Sequence, residues 1–514
     1  MDTEIEPGEK WWGGAVQLGA AMPFGTETAL DIDLMAETYG NPAVPMLLSS
    51  HGRWLHSGAP FHLKVAGGGV SANGPGTGIK AGAGEPATLR SAFLACRDRF
   101  FPPSGRAPAD VFFTAPQWNT WIELQYNQNE RDILAYARAI VDNGFQPGIL
   151  TIDDTWQFGY GTWEFDPRRF HDPRGMCSAL HGLGFKVMLW ACPFVSADSP
   201  AYRELERTGG LVAGDDGSPA TVRWWNGKSA LLDFTHPNAT RWFEAQLGRL
   251  AAEFGVDGFK LDAGDLCYWD GANRRRHLAP VRLHSPGALP QDAARAYGAV
   301  GLRLKMCEYR TTWGHRGEPI ALRLADKRHS WDDLARLIPD MAAMGLAGYQ
   351  FVCPDMVGGG NFVSFLPGAE DFDQELFVRS AQVHALSPMM QFSAAPWRVL
   401  DSSHLAAVKA AAGLRSRFAR RFAALAHDCA ASGEPMLRNL EYAFPRLGYA
   451  DIRDQFMMGD FLLVAPQTRK GAASRTAAIP PGRWLCDDGG TVRGPAEISL
   501  QTPLDRIPFF ERLP

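Results

Sequence analysis

The sequence lacks the features that would direct a protein to nucleic acid or to a membrane. Its 514 residues carry 51 Lys and Arg against 56 Asp and Glu, a net charge of -5, so no broad basic field is available for a phosphate backbone or an anionic lipid surface. No stretch reaches the roughly 18 uninterrupted apolar residues of a membrane-spanning helix. The N-terminal sequence MDTEIEPGEK begins acidic and lacks the pattern of a signal peptide. These absences predict a cytoplasmic protein with neither nucleic acid nor a membrane as partner.

Metal and cofactor signatures are also absent. The eight cysteines include no CxxC pair, and the thirteen histidines show no HExxH spacing. The Gly-rich stretch 65–85 lacks the GxxxxGK[ST] pattern of a phosphate loop, and we interpret it as a flexible surface loop. No motif for an organic cofactor occurs. The sequence therefore predicts buried free thiols, no metal site and no cofactor.

The order of predicted elements divides the chain into three domains. Residues 1–105 contain short alternating runs, such as 61–65 and 88–94, which predict a β-sandwich-like domain. Residues 106–428 alternate between strand and helix patterns, which is typical of a parallel sheet. Residues 429–514 return to short strands and turns and predict a C-terminal β-domain.

The middle region contains eight strand candidates, which predict an α/β fold built on a (β/α)8 TIM barrel. We expect the first strand at 111–114. The helix that follows is expected to begin after Asn129 and to bury a face formed by Ile133, Leu134, Ala137, Ile140 and Val141. The other strands are expected within 148–154, 186–193, 257–265, 305–309, 319–326, 348–355 and 388–393.

Carboxylate, tryptophan and arginine residues lie at the ends of these apolar runs. The active site of such a barrel lies at the carboxyl ends of its strands. Sugar hydroxyls pair with carboxylates, sugar faces pack on aromatic rings, and glycosidic cleavage uses two carboxyl groups. This combination predicts a glycoside hydrolase with a small-molecule glycoside or oligosaccharide as its substrate. The strand-end residues are Trp118, Trp121, Asp153, Asp154, Trp190, Asp262, Arg310, Asp326, Asp355 and Trp397.

Asp262 and Asp326 form the candidate pair for cleavage, since they end the fourth and sixth predicted strands. A retaining glycosidase needs its two carboxyl groups about 5 to 5.5 Å apart and an inverting one about 6.5 to 9.5 Å, and a separation of two strands fits the closer geometry. Lys260 lies on the same side of the strand as Asp262, where its charge would favour the ionised carboxylate. Each residue also has a structural interpretation, because a strand-end Asp often forms a turn and Trp190, Trp397 or Arg310 could belong to the core.

Several segments resemble glycoside hydrolase family 31 over roughly residues 108 to 470. The resemblance is carried by LLDFTHPNATRWF, DGFKLDAGD, LADKRHSWDDL and GYQFVCPDMVGG. It implies that Asp262 is the nucleophile and Asp326 the general acid/base, and Trp331 lies five residues after Asp326, as the family pattern requires. It also implies a pocket for the non-reducing terminal sugar. The residues implied to line that pocket are Asp153, Trp190, Lys260, Arg310, Arg323 and Asp355.

Departures from the common family pattern narrow the expected activity. The α-glucosidase signature WxDMNE is absent, and KLDAGD, RLAD and PDMVGG are more similar to the branch that includes the myogenesis-regulating glycosidase. That branch implies a retaining, exo-acting α-galactosidase that works through a covalent glycosyl-enzyme intermediate. The stretch IDDTW also resembles other α-galactosidase families, but their acid segment has no counterpart here.

Other activities stay open at this point. They are an α-glucosidase or α-xylosidase, a transglycosylase, a lyase, and a non-catalytic sugar-binding protein that has kept the pocket. Homo-oligomer formation is left open as well.

Overall fold

The computed structural model describes residues 1–35, 40–74, 78–277 and 279–514. These residues form two compact units. One comprises Met1–Leu34, Ala43–Pro116 and Arg316–Pro514, and the other comprises Met35–Pro42 and Gln117–His315. In the described part of the chain, no helix combines the length and apolar character needed to span a membrane.

The N-terminal region is rich in strands, as predicted. Two antiparallel sheets have the orders β1-β7-β6-β3 and β2-β4-β5-β8. Buried and exposed residues alternate in β6 and β7, so each strand has one face in the core. The elements are β1 Asp2–Glu4, β2 Trp11–Ala15, β3 Leu30–Asp33, β4 Ala43–Ser49, β5 Arg53–His56, β6 His62–Ala66, β7 Gly69–Asn73, β8 Lys80–Ala83 and α1 Leu89–Phe100.

Two predictions for this region were wrong. The run 88–94 belongs to α1, because Thr88 caps the helix through a hydrogen bond from the Ser91 amide and the buried Leu89, Phe93 and Cys96 recur at helical spacing. The Gly-rich stretch contains strands β7 and β8 and is not simply a surface loop. Its residues 75–77 lie outside the described residues. The strand predicted at 61–65 is confirmed as β6.

The next part of the chain alternates between strands and helices and supplies five barrel strands: β9, β10, β13, β18 and β20. Each pairs in parallel with the next in that order. The elements are α2 Val111–Thr114, β9 Gln117–Asn119, α3 Trp121–Leu124, α4 Glu130–Asp142, β10 Ile149–Ile152, β11 Gln157–Gly159, β12 Thr162–Phe165, α5 Pro173–Gly182, β13 Lys186–Ala191, β14 Phe194–Val195, α6 Pro200–Thr208, β15 Ala213–Gly214, β16 Val222–Trp224, β17 Gly227–Leu231, α7 Pro237–Phe254, β18 Gly258–Leu261, β19 Val281–Arg282, α8 Pro290–Gly301 and β20 Cys307–Tyr309.

Three further strands complete the barrel sheet, whose order is β22-β21-β20-β18-β13-β10-β9-β23. A parallel bridge between Met356 and Gln391 joins the segment after β22 to β23, so the sheet is a nearly closed TIM barrel and the predicted fold class is confirmed. The elements are β21 Ala321–Arg323, α9 Trp331–Leu346, β22 Phe351–Cys353, α10 Gln374–Ala385, β23 Gln391–Phe392, α11 Pro396–Val399 and α12 Ser402–Ser432.

The first barrel strand was predicted too early. Val111–Thr114 is a helical turn, and the strand is Gln117–Asn119. The Thr114 amide donates to the Asp110 carbonyl at 3.0 Å, which is the i to i−4 bond of a helical turn and not a strand contact, and Phe112 and Phe113 are both buried. In α4 the Asn129 cap and the buried Ile133, Ala137 and Ile140 are confirmed. Val141 is exposed instead, Leu134 is half-buried, and Tyr136 joins the buried face.

The C-terminal region forms a six-stranded antiparallel sheet of order β24-β25-β26-β29-β27-β28, which confirms the predicted β-domain. Its core contains Met457, Leu463, Ile479, Trp484 and Phe510. The domain boundaries given above stay predictions. The elements are β24 Leu437–Arg438, α13 Leu440–Ala443, β25 Phe456–Met458, β26 Leu462–Val464, β27 Ser474–Cys486, β28 Thr491–Gln501 and β29 Phe509–Leu513.

The eight cysteines are free thiols, as predicted, and seven of them are buried. Cys486 is partly exposed.

Candidate active site

Strand β18 carries Asp262 just past its carboxyl end, where two side chains bind its carboxylate. Arg310 Nε lies 2.5 Å from Asp262 Oδ1, and Trp190 Nε1 donates to Oδ2 at 2.8 Å. The Tyr297 hydroxyl donates to the backbone oxygen of Asp262 at 2.7 Å. Only 10% of the Asp262 side chain is exposed. The carboxylate is therefore buried, ionically paired and fixed in direction.

Arg310 also binds a second carboxylate, Asp265, at 2.6 Å from its Nη2. The glycine between the two aspartates is needed for space, because a Cβ on Gly264 would lie 2.5 Å from the Thr311 carbonyl oxygen. The motif DAGD therefore places two carboxylates on one guanidinium. Arg310 contacts Asp262, and the ammonium of Lys260 binds Asp153.

The Lys260–Asp153 pair is buried, with 4% of each side chain exposed and 2.8 Å between Nζ and Oδ2. Asn119, at the end of β9, donates to the same carboxylate oxygen at 2.6 Å. Strands β9, β10 and β18 thus each contribute one of these three residues. A buried ion pair persists only with such additional hydrogen bonds.

Asp154, which follows Asp153 in the turn after β10, is surrounded differently. Tyr160 Oη donates to its Oδ1 at 3.0 Å and Asn226 Nδ2 to its Oδ2 at 2.7 Å, so its two bound donors here are neutral. Burial and then the charge of Asp153 raise the pKa of Asp154 to about 7, against the Tyr160 hydrogen bond that lowers it. Asp153, Asp154, Lys260, Asp262, Asp265 and Arg310 are called the Asp262 cluster below.

Strands β21 and β22 bring together Arg323, Asp326 and Asp355, called the Asp326 cluster below. Arg323 Nη1 contacts Asp326 Oδ1 at 2.8 Å and also donates to Asp355 Oδ1. Asp355 is fully buried, whereas 53% of the Asp326 side chain is exposed. Burial and the charge of Asp326 raise the pKa of Asp355, while Arg323 opposes the shift. One guanidinium group thus serves a buried carboxyl group and an accessible one.

The backbone after Asp326 is anchored on several sides. The Lys327 amide donates to Asp355 Oδ2 at 2.8 Å, and its ammonium binds the buried Asp340 at 2.8 Å. The Gly360 amide donates to the Lys327 carbonyl at 3.0 Å. A Cβ on Gly360 would lie 2.9 Å from Asp326 Cγ, so this glycine makes room for the Asp326 carboxyl group.

Left-handed backbone recurs beside the carboxylates of both clusters. Thr155 follows Asp154 with φ 71°, Ala263 follows Asp262 with φ 62°, and Asp355 itself has φ 86°. Residues other than glycine adopt this conformation at a cost, and such strain concentrates at functional sites.

The structure places the predicted site residues in recognisable groups. Asp153, Asp154, Trp190, Lys260, Asp262 and Arg310 lie in or against the Asp262 cluster, and Arg323, Asp326 and Asp355 form the Asp326 cluster. Trp121 packs edge-on against Tyr126 with ring centroids 5.3 Å apart. Trp397 is half-buried in helix α11.

Sequence reasoning missed Asp265, Tyr160 and Asn226. The motif DAGD contained a signal for Asp265, since a second acid follows the first at a turn. Nothing local marks Tyr160 or Asn226, because their role comes from loops that meet around Asp154.

Comparison with known protein families identifies the family of this chain. The model of the "Glycosyl hydrolases family 31 TIM-barrel domain" matches residues 114–419. The chain belongs to glycoside hydrolase family 31. The model of the "Glycosyl hydrolase family 31 C-terminal domain" matches residues 433–513.

Family 31 relatives include proteins with different named activities. The myogenesis-regulating glycosidase of Mus musculus is 34% identical over 431 residues, which cover 80% of this chain and 58% of that protein. The neutral alpha-glucosidase AB of Homo sapiens is 26% identical over 424 residues, covering 75% of this chain and 43% of that protein. The chain thus spans about half the length of these relatives.

Solved family 31 structures share the fold. A GH31 alpha-xylosidase from a soil metagenome, complexed with xylose, matches with a TM-score of 0.81 and 20% identity, covering 99% of this chain and 79% of that one. A Flavobacterium johnsoniae GH31 dextranase, complexed with glucose, matches with a TM-score of 0.86 and 18% identity, covering 100% and 66%. At these identities the likeness concerns the fold alone.

Proposed function

We propose that this family 31 member is a retaining, exo-acting α-galactosidase in which Asp262 is the nucleophile and Asp326 the general acid/base. The observation that carries the proposal is the state of Asp262, which is buried, bound by Arg310 and oriented by Trp190. A carboxylate that is paired with a guanidinium and oriented by a hydrogen bond points in one direction, as attack on an anomeric carbon requires.

Asp326 suits the other role. Its carboxyl group is half exposed and follows a strand end, while the backbone next to it is anchored by Lys327. A general acid/base must reach the glycosidic oxygen and afterwards a water molecule. An accessible carboxyl group on a fixed backbone meets both needs.

The reaction follows from these roles. Asp262 attacks the anomeric carbon while Asp326 gives its proton to the leaving oxygen, and a glycosyl ester forms on Asp262. Asp326 then takes a proton from water, which attacks the same carbon and releases the sugar with its original anomeric configuration. No step calls for a metal or an organic cofactor.

Support for galactose as the terminal sugar comes from the sequence. The segments KLDAGD, RLAD and PDMVGG resemble the branch of the myogenesis-regulating glycosidase, the relative with 34% identity. The remaining proposed sugar-binding residues are Asp153, Asp154, Trp190, Lys260, Arg310, Arg323, Asp355, Trp121 and Trp397. Cytoplasmic location stays a prediction of the sequence.

The mechanism is tested by the first product anomer. Proton NMR of fresh reaction mixtures is expected to show the α-anomer of galactose before mutarotation, and first release of the β-anomer would exclude retention. Asp262→Asn is expected to abolish turnover while the far-UV circular dichroism spectrum stays that of the wild type. Full activity in that variant would remove Asp262 from the role.

The sugar is tested by a panel of aryl α-galactoside, α-glucoside and α-xyloside. Hydrolysis of the galactoside at least about tenfold faster than the others supports the proposal. Preference for the glucoside or xyloside would assign the protein to one of the alternatives. Binding of galactose without hydrolysis of any member would indicate a non-catalytic sugar-binding protein.

A further inference from the structure

His329 is a buried residue in the loop that follows Asp326. It lies three residues after the proposed acid/base, and only 7% of its surface is exposed. The proposed mechanism gives it no role. A histidine that is buried to this extent needs partners for both ring nitrogens, and those partners show what the side chain holds in place.

The two ring nitrogens of His329 bind backbone groups of two other segments. Nδ1 lies 2.8 Å from the Gly358 carbonyl oxygen, and Nε2 lies 2.9 Å from the Asp373 amide nitrogen. Because a carbonyl oxygen can only accept and an amide N–H can only donate, Nδ1 carries the proton and Nε2 is the acceptor. Burial lowers the pKa of His329, against these two hydrogen bonds and the charges of Asp373 and Asp371, which favours this neutral form.

The first of these segments is a turn of three glycines, 358–360, which packs against the acid/base loop. The Gly360 amide donates to the Lys327 carbonyl at 3.0 Å. A Cβ on Gly359 would lie 2.6 Å from the same carbonyl oxygen, and a Cβ on Gly360 would lie 2.9 Å from Asp326 Cγ. The turn therefore lies directly against the Asp326 side chain and the backbone that follows it. A small shift of the turn would change the space that the Asp326 carboxyl group occupies.

The second segment begins helix α10 at Asp373, which is anchored independently of His329. The Asp373 side chain caps the helix by accepting from the Leu376 amide at 3.2 Å. Its Oδ2 accepts from Trp331 Nε1 at 3.0 Å and lies 2.8 Å from Lys470 Nζ. His329 therefore connects the glycine turn to a fixed helix terminus.

Two phenylalanine rings fix the orientation of the His329 ring. Phe372 stacks on it, with ring centroids 5.0 Å apart and planes within 6° of each other. Phe365 packs against it edge-on at 5.2 Å. With one face stacked and both nitrogens bound, the imidazole is held in one orientation.

We infer that His329 is a positioning residue for Asp326, and that its neutral imidazole holds the glycine turn 358–360 where Asp326 needs it in order to protonate the glycosidic oxygen. This inference rests on the proposed function, because it takes Asp326 to be the general acid/base. His329 acts through the turn and is assigned no contact with the substrate. Loss of its two hydrogen bonds is therefore expected to impair proton donation by Asp326 and to spare the attack by Asp262.

His56 provides the matched control. It is also buried, its ring stacks on Phe100 at 3.7 Å, and its Nε2 lies 2.9 Å from Arg316 Nη2. Burial lowers the pKa of His56 as well, to about 3. These contacts include neither Asp326 nor the glycine turn. His56→Gln therefore removes a buried, stacked imidazole without changing the support of the acid/base.

The test compares kcat/KM on a galactosyl-α-glucose disaccharide, which needs protonation of its leaving oxygen, with kcat/KM on a dinitrophenyl galactoside, which does not. His329→Phe keeps an aromatic ring and loses both hydrogen bonds. We expect it to lower kcat/KM by about 30-fold on the disaccharide and by less than about threefold on the dinitrophenyl galactoside. The ratio of the two values does not depend on the folded fraction of the protein, so partial unfolding cannot produce this change.

Two further variants complete the series. His329→Asn keeps a donor near the position of Nδ1 and is expected to recover part of the lost ratio, whereas His56→Gln is expected to keep the wild-type ratio. A wild-type ratio in His329→Phe, or an equal change in His56→Gln, would overturn the inference.

Failure of the proposed function gives a different result. In that case the wild type hydrolyses neither galactoside, or Asp326→Ala leaves the ratio unchanged, and the inference falls with the function. A ratio that decreases in Asp326→Ala but not in His329→Phe rejects the role of His329 alone.

Discussion

The Asp262 and Asp326 clusters are alike in their supports and different in their reactive groups. The Asp262 cluster contains the buried pair Lys260–Asp153, and the backbone beside the Asp326 cluster is held by the buried pair Lys327–Asp340, each with a 2.8 Å contact. Each cluster contains a carboxyl group whose pKa burial raises, Asp154 or Asp355. The side chain of Asp262 is 10% exposed, however, and that of Asp326 is 53% exposed. Similar anchors thus hold one carboxylate away from solvent and leave the other within its reach.

The difference in exposure supports the separate roles proposed for the two aspartates. Asp262 is ion-paired with Arg310 and accepts a hydrogen bond from Trp190, and its side chain is largely removed from solvent. Arg323 contacts both Asp326 and Asp355, so Asp326 shares its cation with a second carboxyl group. The exposed side chain of Asp326 can exchange protons with water. In the proposed mechanism, environment more than residue type separates the nucleophile from the acid/base.

The largest expected effect comes from removing each reactive carboxyl group. Asp262→Ala is expected to lower kcat by at least about 10⁴-fold on every galactoside. Asp326→Ala is expected to lower it by about 10² to 10⁴-fold on a disaccharide, which needs protonation of its leaving oxygen, and by far less on a dinitrophenyl galactoside, which does not. Steady-state kinetics on both substrates measures the contrast. If kcat of Asp262→Ala and of Asp326→Ala were restored equally on the dinitrophenyl galactoside, the two aspartates would not have different roles.

The next largest effect is expected on stability, when the lysine of a buried Lys–Asp pair is replaced. Lys260→Met leaves the buried Asp153 without the ammonium that binds it, and Lys327→Met leaves the buried Asp340 with only the more distant Arg336, at 3.8 Å. We expect each to lower the free energy of unfolding by about 3 to 5 kcal/mol. Urea denaturation measures the loss. Arg131→Gln, which breaks the exposed pair with Asp132, serves as the control and is expected to have no measurable effect.

Removing both members of a pair separates stability from function. Lys327→Met with Asp340→Leu is expected to regain most of the lost stability, since no uncompensated charge remains. Lys260→Met with Asp153→Leu is expected to regain stability but not activity, because Asp153 is proposed to bind the sugar. Recovery of activity in the second double variant would show that its pair is only structural.

A smaller effect is expected at Gly360. An added methyl group would lie 2.9 Å from Asp326 Cβ and Cγ, so Gly360→Ala must displace the exposed carboxyl group. A displacement of a few tenths of an ångström is expected to lower kcat by roughly tenfold, as measured on the disaccharide. Gly413→Ala in helix α12, where nothing lies within 4 Å of the added atom, is the control. Equal kinetics in the two variants would show that Asp326 needs no such room.

A further expected effect is the pH dependence of stability contributed by Asp154. Because the folded-state pKa is raised to about 7 from 3.8, the folded protein keeps a proton that the unfolded chain releases. Stability contributed by that proton is present below about pH 4 and is lost as pH rises to about 7. Relative to Asp154→Asn, the wild type is therefore expected to lose unfolding free energy over this range. Parallel urea-denaturation results for the two proteins from pH 4 to 8 would contradict the shift.

The sequence allowed the barrel to be predicted because its strands are short buried runs between amphipathic helices. β10, β13 and β18 lie inside the predicted segments for this reason. The strand prediction was wrong where the local hydrophobic pattern and the tertiary packing favour different elements. Phe112 and Phe113 are apolar enough for a strand, yet both are buried in a helical turn, and Arg415 donates to the Phe113 carbonyl from helix α12. No window around 111–114 contains that contact.

The site was predictable to the extent that residues end strands. Asp153 and Asp262 follow strands β10 and β18 directly, and Asp326 lies in the segment just after β21, so topology alone groups them with their neighbours. Asn226 and Tyr160 reach Asp154 from separate loops, 72 and 6 residues away along the chain. The direction of Lys260 toward Asp153 likewise depends on side-chain packing across two strands and not on its spacing from Asp262.

The buried free thiols can report how often different parts of the chain open. Cys96 in α1, Cys177 in α5 and Cys429 in α12 are buried, and burial raises the pKa of each to about 12, so almost none is thiolate at neutral pH. An alkylating reagent reacts with such a thiol mainly when its surroundings open. The rate at each cysteine, with the partly exposed Cys486 as the reference, therefore times the opening of its own part of the chain without any engineered label.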